Sequence, residues 1–180
     1  MRWFRKAAEQ GPVETQYRLG LCHHEGCCVP EDKVEAAKWY RKAAEQGHTD
    51  AQFMLANYYY FGMGVPENRM ETITWFRKAA EGGNVRAQLA LGWRYFFGVN
   101  VPQDRAEATR WSRRAAEQGD VAGQRLLGSS YFTGTGVSQD RAEAAKWFRK
   151  AAERSNDVAQ CWLGSKISPV YCQWAQIAIF

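Results

Sequence analysis

The side chains with the greatest chemical potential lie together in Cys22-His23-His24-Glu25-Gly26-Cys27-Cys28. Three thiols and two imidazoles within seven residues offer soft and borderline ligands suited to zinc or copper. A metal- or redox-responsive module is therefore one reading of the segment. The spacing matches no standard zinc site. Cys22, His23, His24, Cys27 and Cys28 are thus candidate ligands without a recognisable ligand set, and no metal or other cofactor is expected. The plainer account is that these positions have departed from a pattern kept elsewhere. The chain's five cysteines are odd in number and clustered, so they build no complete disulfide framework.

Catalytic constellations are missing. The chain contains no Ser-x-x-Lys, Gly-x-Ser-x-Gly or His-Glu-x-x-His and no Walker loop. Gly62-Met63-Gly64 lacks the rest of a nucleotide fingerprint, and no strand precedes it. His48, one of three histidines, falls at a loop position. No catalytic residue is assigned, and the chain is expected not to be an enzyme.

What would position such side chains is a repeat. Trp3, Trp39, Trp75, Trp111 and Trp147 are each 36 residues apart. The columns around them nearly fill themselves. An aromatic residue follows the Trp in four of the five rows, then come a basic pair, two alanines and a glutamate, as in Trp39-Tyr40-Arg41-Lys42-Ala43-Ala44-Glu45. An Ala-Gln pair recurs at Ala51-Gln52, Ala87-Gln88 and Ala159-Gln160, with Leu19, Leu55, Leu91, Leu127 and Leu163 in one column.

Each row encodes two helices. The first spans about 50–61, where Ala51, Leu55 and Tyr59 share a face. The second starts after Asp32, Asn68, Asp104 or Asp140, each followed three residues later by Glu, a spacing that resembles a capping box. It ends at a glycine such as Gly47. In the loop between the two helices, Asn100 stands where other rows have Gly64 or Gly136, and Asn is the next most tolerant residue of positive φ. One helix pair cannot bury its apolar face alone, so the pairs must stack. The expected fold is all-α, a right-handed α-α superhelix, or solenoid, of 36-residue helix-turn-helix repeats.

Composition agrees. Apolar residues are 46% and charged residues 24%, which excludes a disordered tail. No apolar run approaches the length of a membrane span. A net charge of +5 is mild, and nucleic acid is not expected as a partner. Arg41 with Glu45 and Glu35 with Lys38 have the spacing of local ion pairs on a solvated outer face.

The string Ala-x-x-Trp-(Phe/Tyr)-Arg-Lys-Ala-Ala-Glu-Gln-Gly-x-x-x-Ala-Gln-x-x-Leu-Gly-x-x-Tyr-x-x-Gly-x-Gly-Val resembles the Sel-one-like repeat (SLR) family, relatives of the tetratricopeptide repeats. The resemblance covers residues 2 to about 166. It implies a binding scaffold, since family members are adaptors in protein–protein interaction, many bacterial and generally not enzymes. A cysteine-rich, secreted branch carries one disulfide per repeat and is linked to penicillin binding, so a cell-wall-related binder or hydrolase is an alternative function. Ala44 and Gln52 stand where that branch pairs cysteines, and the chain does not look like it.

The resemblance also implies that the first helix of each pair lines a concave groove. Columns that vary between rows are free for recognition, and they hold Met54, Asn57, Tyr58, Trp93, Arg94 and Ser129. Tyr, Trp and Arg are enriched at binding hot spots. These six are the candidate groove residues for a protein or peptide partner. Tyr60, Phe61, Phe96 and Phe97 are assigned to packing between repeats.

The array is expected over 1–166, beginning inside a helix pair, with 167–180 an aberrant C-terminal tail or cap. Uncapped ends would favour self-association. The N-terminus lacks the apolar core of a signal peptide. The default compartment is cytoplasmic, or periplasmic or exported if a leader lies upstream.

Overall fold

The computed structural model describes residues 11–154, Cys28 excepted. The expectations for Trp3, Cys28, Trp162 and the segment 167–180 therefore lie outside the described residues, as do both ends on which self-association was based.

Eight helices occupy the described residues, and no strand is found among them. They are α1 (Val13–Glu25), α2 (Lys33–Glu45), α3 (Thr49–Phe61), α4 (Arg69–Glu81), α5 (Val85–Phe97), α6 (Arg105–Glu117), α7 (Val121–Thr133) and α8 (Arg141–Arg154). The chain divides into two units at Trp111/Ser112, inside α6. In the first unit, α1 to α5 pack each against the next; in the second, α7 packs on α8.

The first unit's core is built from small residues at the helix crossings. Ala36, Ala43, Ala51, Ala56, Ala79 and Ala87 have no exposed surface. Alanine at a crossing lets two helices approach closely. Leu55 and Leu91 fill the gaps with no exposed surface, each contributing about 1.5–3 kcal/mol by burial. Trp39, Trp75 and Trp111 are buried, as their fixed period demands.

The helix starts follow the sequence signals only in part. Asp32 accepts from the backbone N–H of Val34 and Glu35 at 3.0 Å each. Asn68, Asp104 and Asp140 repeat that arrangement. The glutamate half of the capping box is not used. The cap residue's own N–H donates to a carbonyl nine residues back, at His23, Tyr59, Tyr95 or Tyr131. Freed from the cap, Glu35 accepts from Lys38, Glu107 from Arg110 and Glu143 from Lys146, while Glu71 accepts from Trp75 Nε1 at 2.8 Å.

The loop between helices needs positive φ twice. Gly64, Asn100 and Gly136 lie at φ 64, 63 and 71°, so asparagine does take the glycine's conformation. Gly64 has a further requirement, because a Cβ there would lie 2.2 Å from the carbonyl oxygen of Lys33.

Candidate partner-binding face

The repeated polar residues are occupied by the framework. Arg41, Arg77 and Arg113 donate to the hydroxyls of Tyr59, Tyr95 and Tyr131, the last two at 2.8 and 2.7 Å. The expected Arg41–Glu45 pair does not form, because the tyrosine across the helix pair offers Arg41 a part-buried acceptor. Lys42, Lys78 and Lys150 lie over the rings of Trp39, Trp75 and Trp147 at 4.2–4.5 Å. The Lys38–Glu35 pair is present at 2.7 Å.

Gln52 Nε2 donates to Ala44 C=O at 3.0 Å, and Gln88 to Ala80 likewise. A buried side-chain hydrogen bond thus occupies the seam that joins consecutive helices. This accounts for the recurring Ala-Gln pair, since an amide can donate across eight residues where an apolar side chain would leave the carbonyl unmet.

One column passed unnoticed in the sequence. His48, Asn84 and Asp120 cap α3, α5 and α7, accepting from the N–H three residues on. Two of them also bridge to the preceding pair. His48 Nε2 donates to Glu14 at 3.0 Å, and Asn84 Nδ2 donates to Asp50 at 2.7 Å. His48 and Arg18 together hold the Glu14 carboxyl below its usual pKa. The shared signal was a capping oxygen or nitrogen, hidden because the three residue types differ.

The cysteine–histidine segment is dispersed by α1. His23 is buried, Cys22 half-buried and Cys27 exposed. His24 Nδ1 accepts from the Tyr58 hydroxyl at 2.7 Å, with Lys33 Nζ at 3.3 Å from the same nitrogen. Lys33 also donates to the His24 carbonyl at 2.7 Å. That lone pair is committed to packing between helix pairs. No group of three or more His, Cys, Asp or Glu among the described residues is placed to hold a metal ion.

The six groove candidates separate. Tyr58 has no exposed surface and packs edge-on against Tyr40 at 5.2 Å between centroids. It is corrected here from groove to core, because a fully buried ring presents nothing to a partner. Burial pushes the Tyr58 and Tyr40 hydroxyls above their ordinary pKa. Met54 is half-buried against the core, and Asn57 donates back to Phe53 C=O at 3.0 Å on its own helix. Trp93 is half-buried and stacks on Phe97 at 5.1 Å with an interplanar angle of 8°. Arg94 is half-buried beside it. Ser129 is exposed and belongs to the second unit.

The assignment of Phe61 and Phe97 to packing is also corrected. They are 65% and 54% exposed. Each is edge-on to its neighbour, Tyr60 or Phe96, at 4.8–4.9 Å. As the last residues of α3 and α5, they sit beyond the reach of the helices that bury the rest of the pair. The first unit therefore displays an aromatic face on α3 and α5 formed by Tyr60, Phe61, Trp93, Phe96 and Phe97.

In the second unit, a cavity of about 360 Å³ has Gln124, Trp147, Lys150 and Glu153 in its wall. Its ionisable lining residues are Glu117, Lys150 and Glu153. Among the described residues no helix is long and apolar enough to cross a membrane.

The Sel1 repeat matches residues 1–12, 13–48, 49–84, 85–120 and 121–156, so each of the four full matches coincides with one helix pair. A protective antigen of uropathogenic Escherichia coli strains, with an SLR fold, is 36% identical at a TM-score of 0.83 over 93% of this chain. A Sel1 repeat protein from Oxalobacter formigenes is 37% identical at 0.83 over 89%. The present chain spans 38% and 46% of the length of these two proteins. Cysteine rich protein B of Helicobacter pylori is 25% identical, with a TM-score of 0.57 over 74% of this chain and 95% of its own. No curated protein matches the sequence significantly.

Proposed function

We propose, from the fact that the chain belongs to the Sel1 repeat family, that it is a non-catalytic scaffold gripping a protein or peptide partner on the aromatic face of α3 and α5. Proteins of this family generally mediate protein–protein interactions and are generally non-catalytic. The observation that carries the finer reading is the exposure of Phe61 and Phe97. The framework aromatics Trp39, Tyr40, Trp75 and Phe76 are all buried, so the repeat has no need of two exposed phenylalanines. Exposed aromatic clusters of this kind mark interaction surfaces. The half-buried Trp93, stacked on Phe97, supplies a rigid anchor of the type enriched at hot spots.

Use of the repeated basic side chains for Tyr hydroxyls and Trp rings supports a protein partner over a nucleic acid. Those cations are already engaged and form no free stripe for phosphates.

The test compares proteins captured by the immobilised chain with those captured by a Trp93→Ala/Phe97→Ala variant of equal helix content by circular dichroism. Truncating hot-spot aromatics lowers affinity at least about 30-fold. Loss of the captured partner is the expected result. Capture of the same proteins in the same amounts would overturn the assignment.

A further inference from the structure

Consecutive helix pairs place different residues in the same seat, which isolates Arg94. In the first such seat Tyr58 lies against Tyr40, and its hydroxyl is 2.7 Å from His24 Nδ1. One repeat further along, 36 residues on in each case, the three positions are Arg94, Phe76 and Tyr60. The guanidinium occupies the tyrosine's place, with its carbon 4.3 Å from the Phe76 ring centre and 4.8 Å from that of Tyr60.

The apolar half of the seat is satisfied and the polar half is not. Where His24 presented a nitrogen to Tyr58, Tyr60 presents a ring face to Arg94. Nη1 donates to Ala90 C=O at 3.2 Å, while Nε is buried with no acceptor. Nη2 has no acceptor and Arg94 no carboxylate among the described residues, although the side chain remains partly exposed. Arg41, Arg77 and Arg113 each have a tyrosine hydroxyl, and Arg18 and Arg110 each have a carboxylate. Burial without a counter-charge lowers the pKa of Arg94. The group nevertheless stays charged at neutral pH.

A half-desolvated guanidinium held over two ring faces is a preorganised receptor for a planar anion. It lies over Tyr60, which is edge-on to Phe61 on α3, and its own helix α5 carries the Trp93–Phe97 stack and Phe96. We propose that Arg94 binds the carboxylate of an acidic side chain within the partner segment, with large apolar side chains on either side of it seated on Phe61 and on Trp93–Phe97. This rests on the reading of the aromatic face as the binding surface. Exposed aromatic residues on both α3 and α5 favour a chain that continues past the cation in both directions, hence an internal Asp or Glu over a terminal carboxylate.

A random-peptide display library, selected on the full chain, tests this. Enriched peptides should share an acidic residue beside aromatic or aliphatic ones. Changing that acid to its amide should weaken binding to the unaltered chain about tenfold or more. The same change should have no effect on an Arg94→Met variant. Arg94→Lys keeps the charge without the planar fork and should recover only part of the preference; it also serves if Arg94→Met folds poorly. A shared motif without an acid, or an equal acid preference in Arg94→Met, overturns the role of Arg94 and leaves the aromatic face standing. If no peptide is enriched above an unrelated helical protein, both readings fall.

Discussion

Tyr58 separates a fold role from a binding role. In Tyr58→Phe the ring stays edge-on to Tyr40, and only the hydroxyl is lost. His24 Nδ1 then loses a 2.7 Å donor and retains Lys33 at 3.3 Å. A buried hydrogen bond removed from one side costs about 1–2 kcal/mol. Tyr58→Ala removes a ring with no exposed surface and should cost about 3–5 kcal/mol. In urea, the conservative change should lower the unfolding midpoint by roughly 0.5–1 M with an unchanged slope. Partner affinity, corrected for the folded fraction, should stay at the level of the unaltered chain. The reverse pattern, binding abolished by Tyr58→Phe with the urea midpoint unmoved, would refute the burial argument and return Tyr58 to the binding surface.

The remaining predictions concern loops and caps. Gly64→Ala adds a Cβ at φ 64°, 2.2 Å from Lys33 O, so about 1–2 kcal/mol of backbone strain joins about 1–3 kcal/mol of overpacking. Asn100→Gly, at φ 63°, should change stability by less than about 1 kcal/mol, and equal urea midpoints for the two variants would contradict the close approach at Gly64. Asp32 has a carboxyl pKa lowered from 3.8, chiefly because the Glu35 N–H donates to it. Its ionised cap therefore stabilises above pH 3.8 and is lost as pH falls through the lower folded value. Asp32→Asn keeps an acceptor that does not titrate, so the acid limb of a Tm–pH curve should flatten; an unchanged limb would show that the cap carboxylate does not drive that loss.

The fold was legible because its determinants are local and repeated. A 36-residue Trp period, a cap residue before each second helix and a residue tolerant of positive φ in each loop are all written in the chain. The capping box failed in one half because the competing acceptor is tertiary. The cap N–H finds the carbonyl of His23, Tyr59, Tyr95 or Tyr131 on the preceding helix, a partner that no local spacing announces. The caps His48, Asn84 and Asp120 were missed for the opposite reason, since three residue types perform one task. Phe61 and Phe97 were assigned to packing between repeats, but as the last residues of α3 and α5 they are exposed.

The candidate site shows what variation between repeats does and does not mean. A residue that differs from row to row is released from the repeat pattern, but not necessarily from its neighbours. Tyr58 varies together with His24, and each supplies the hydrogen-bonding group that the other lacks. That variation is compensated inside the chain and belongs to packing. Arg94 varies in the same column, yet Tyr60 and Phe76 offer it ring faces and no acceptor, and of its donors only Nη1 is met, by Ala90 C=O on its own helix. The partly exposed end of that guanidinium, next to exposed aromatic surface, is the kind of change that a partner can complete. The distinction rests on hydrogen-bonding valence between rows, and column variability alone, which gave Tyr58 and Arg94 the same standing, could not have drawn it.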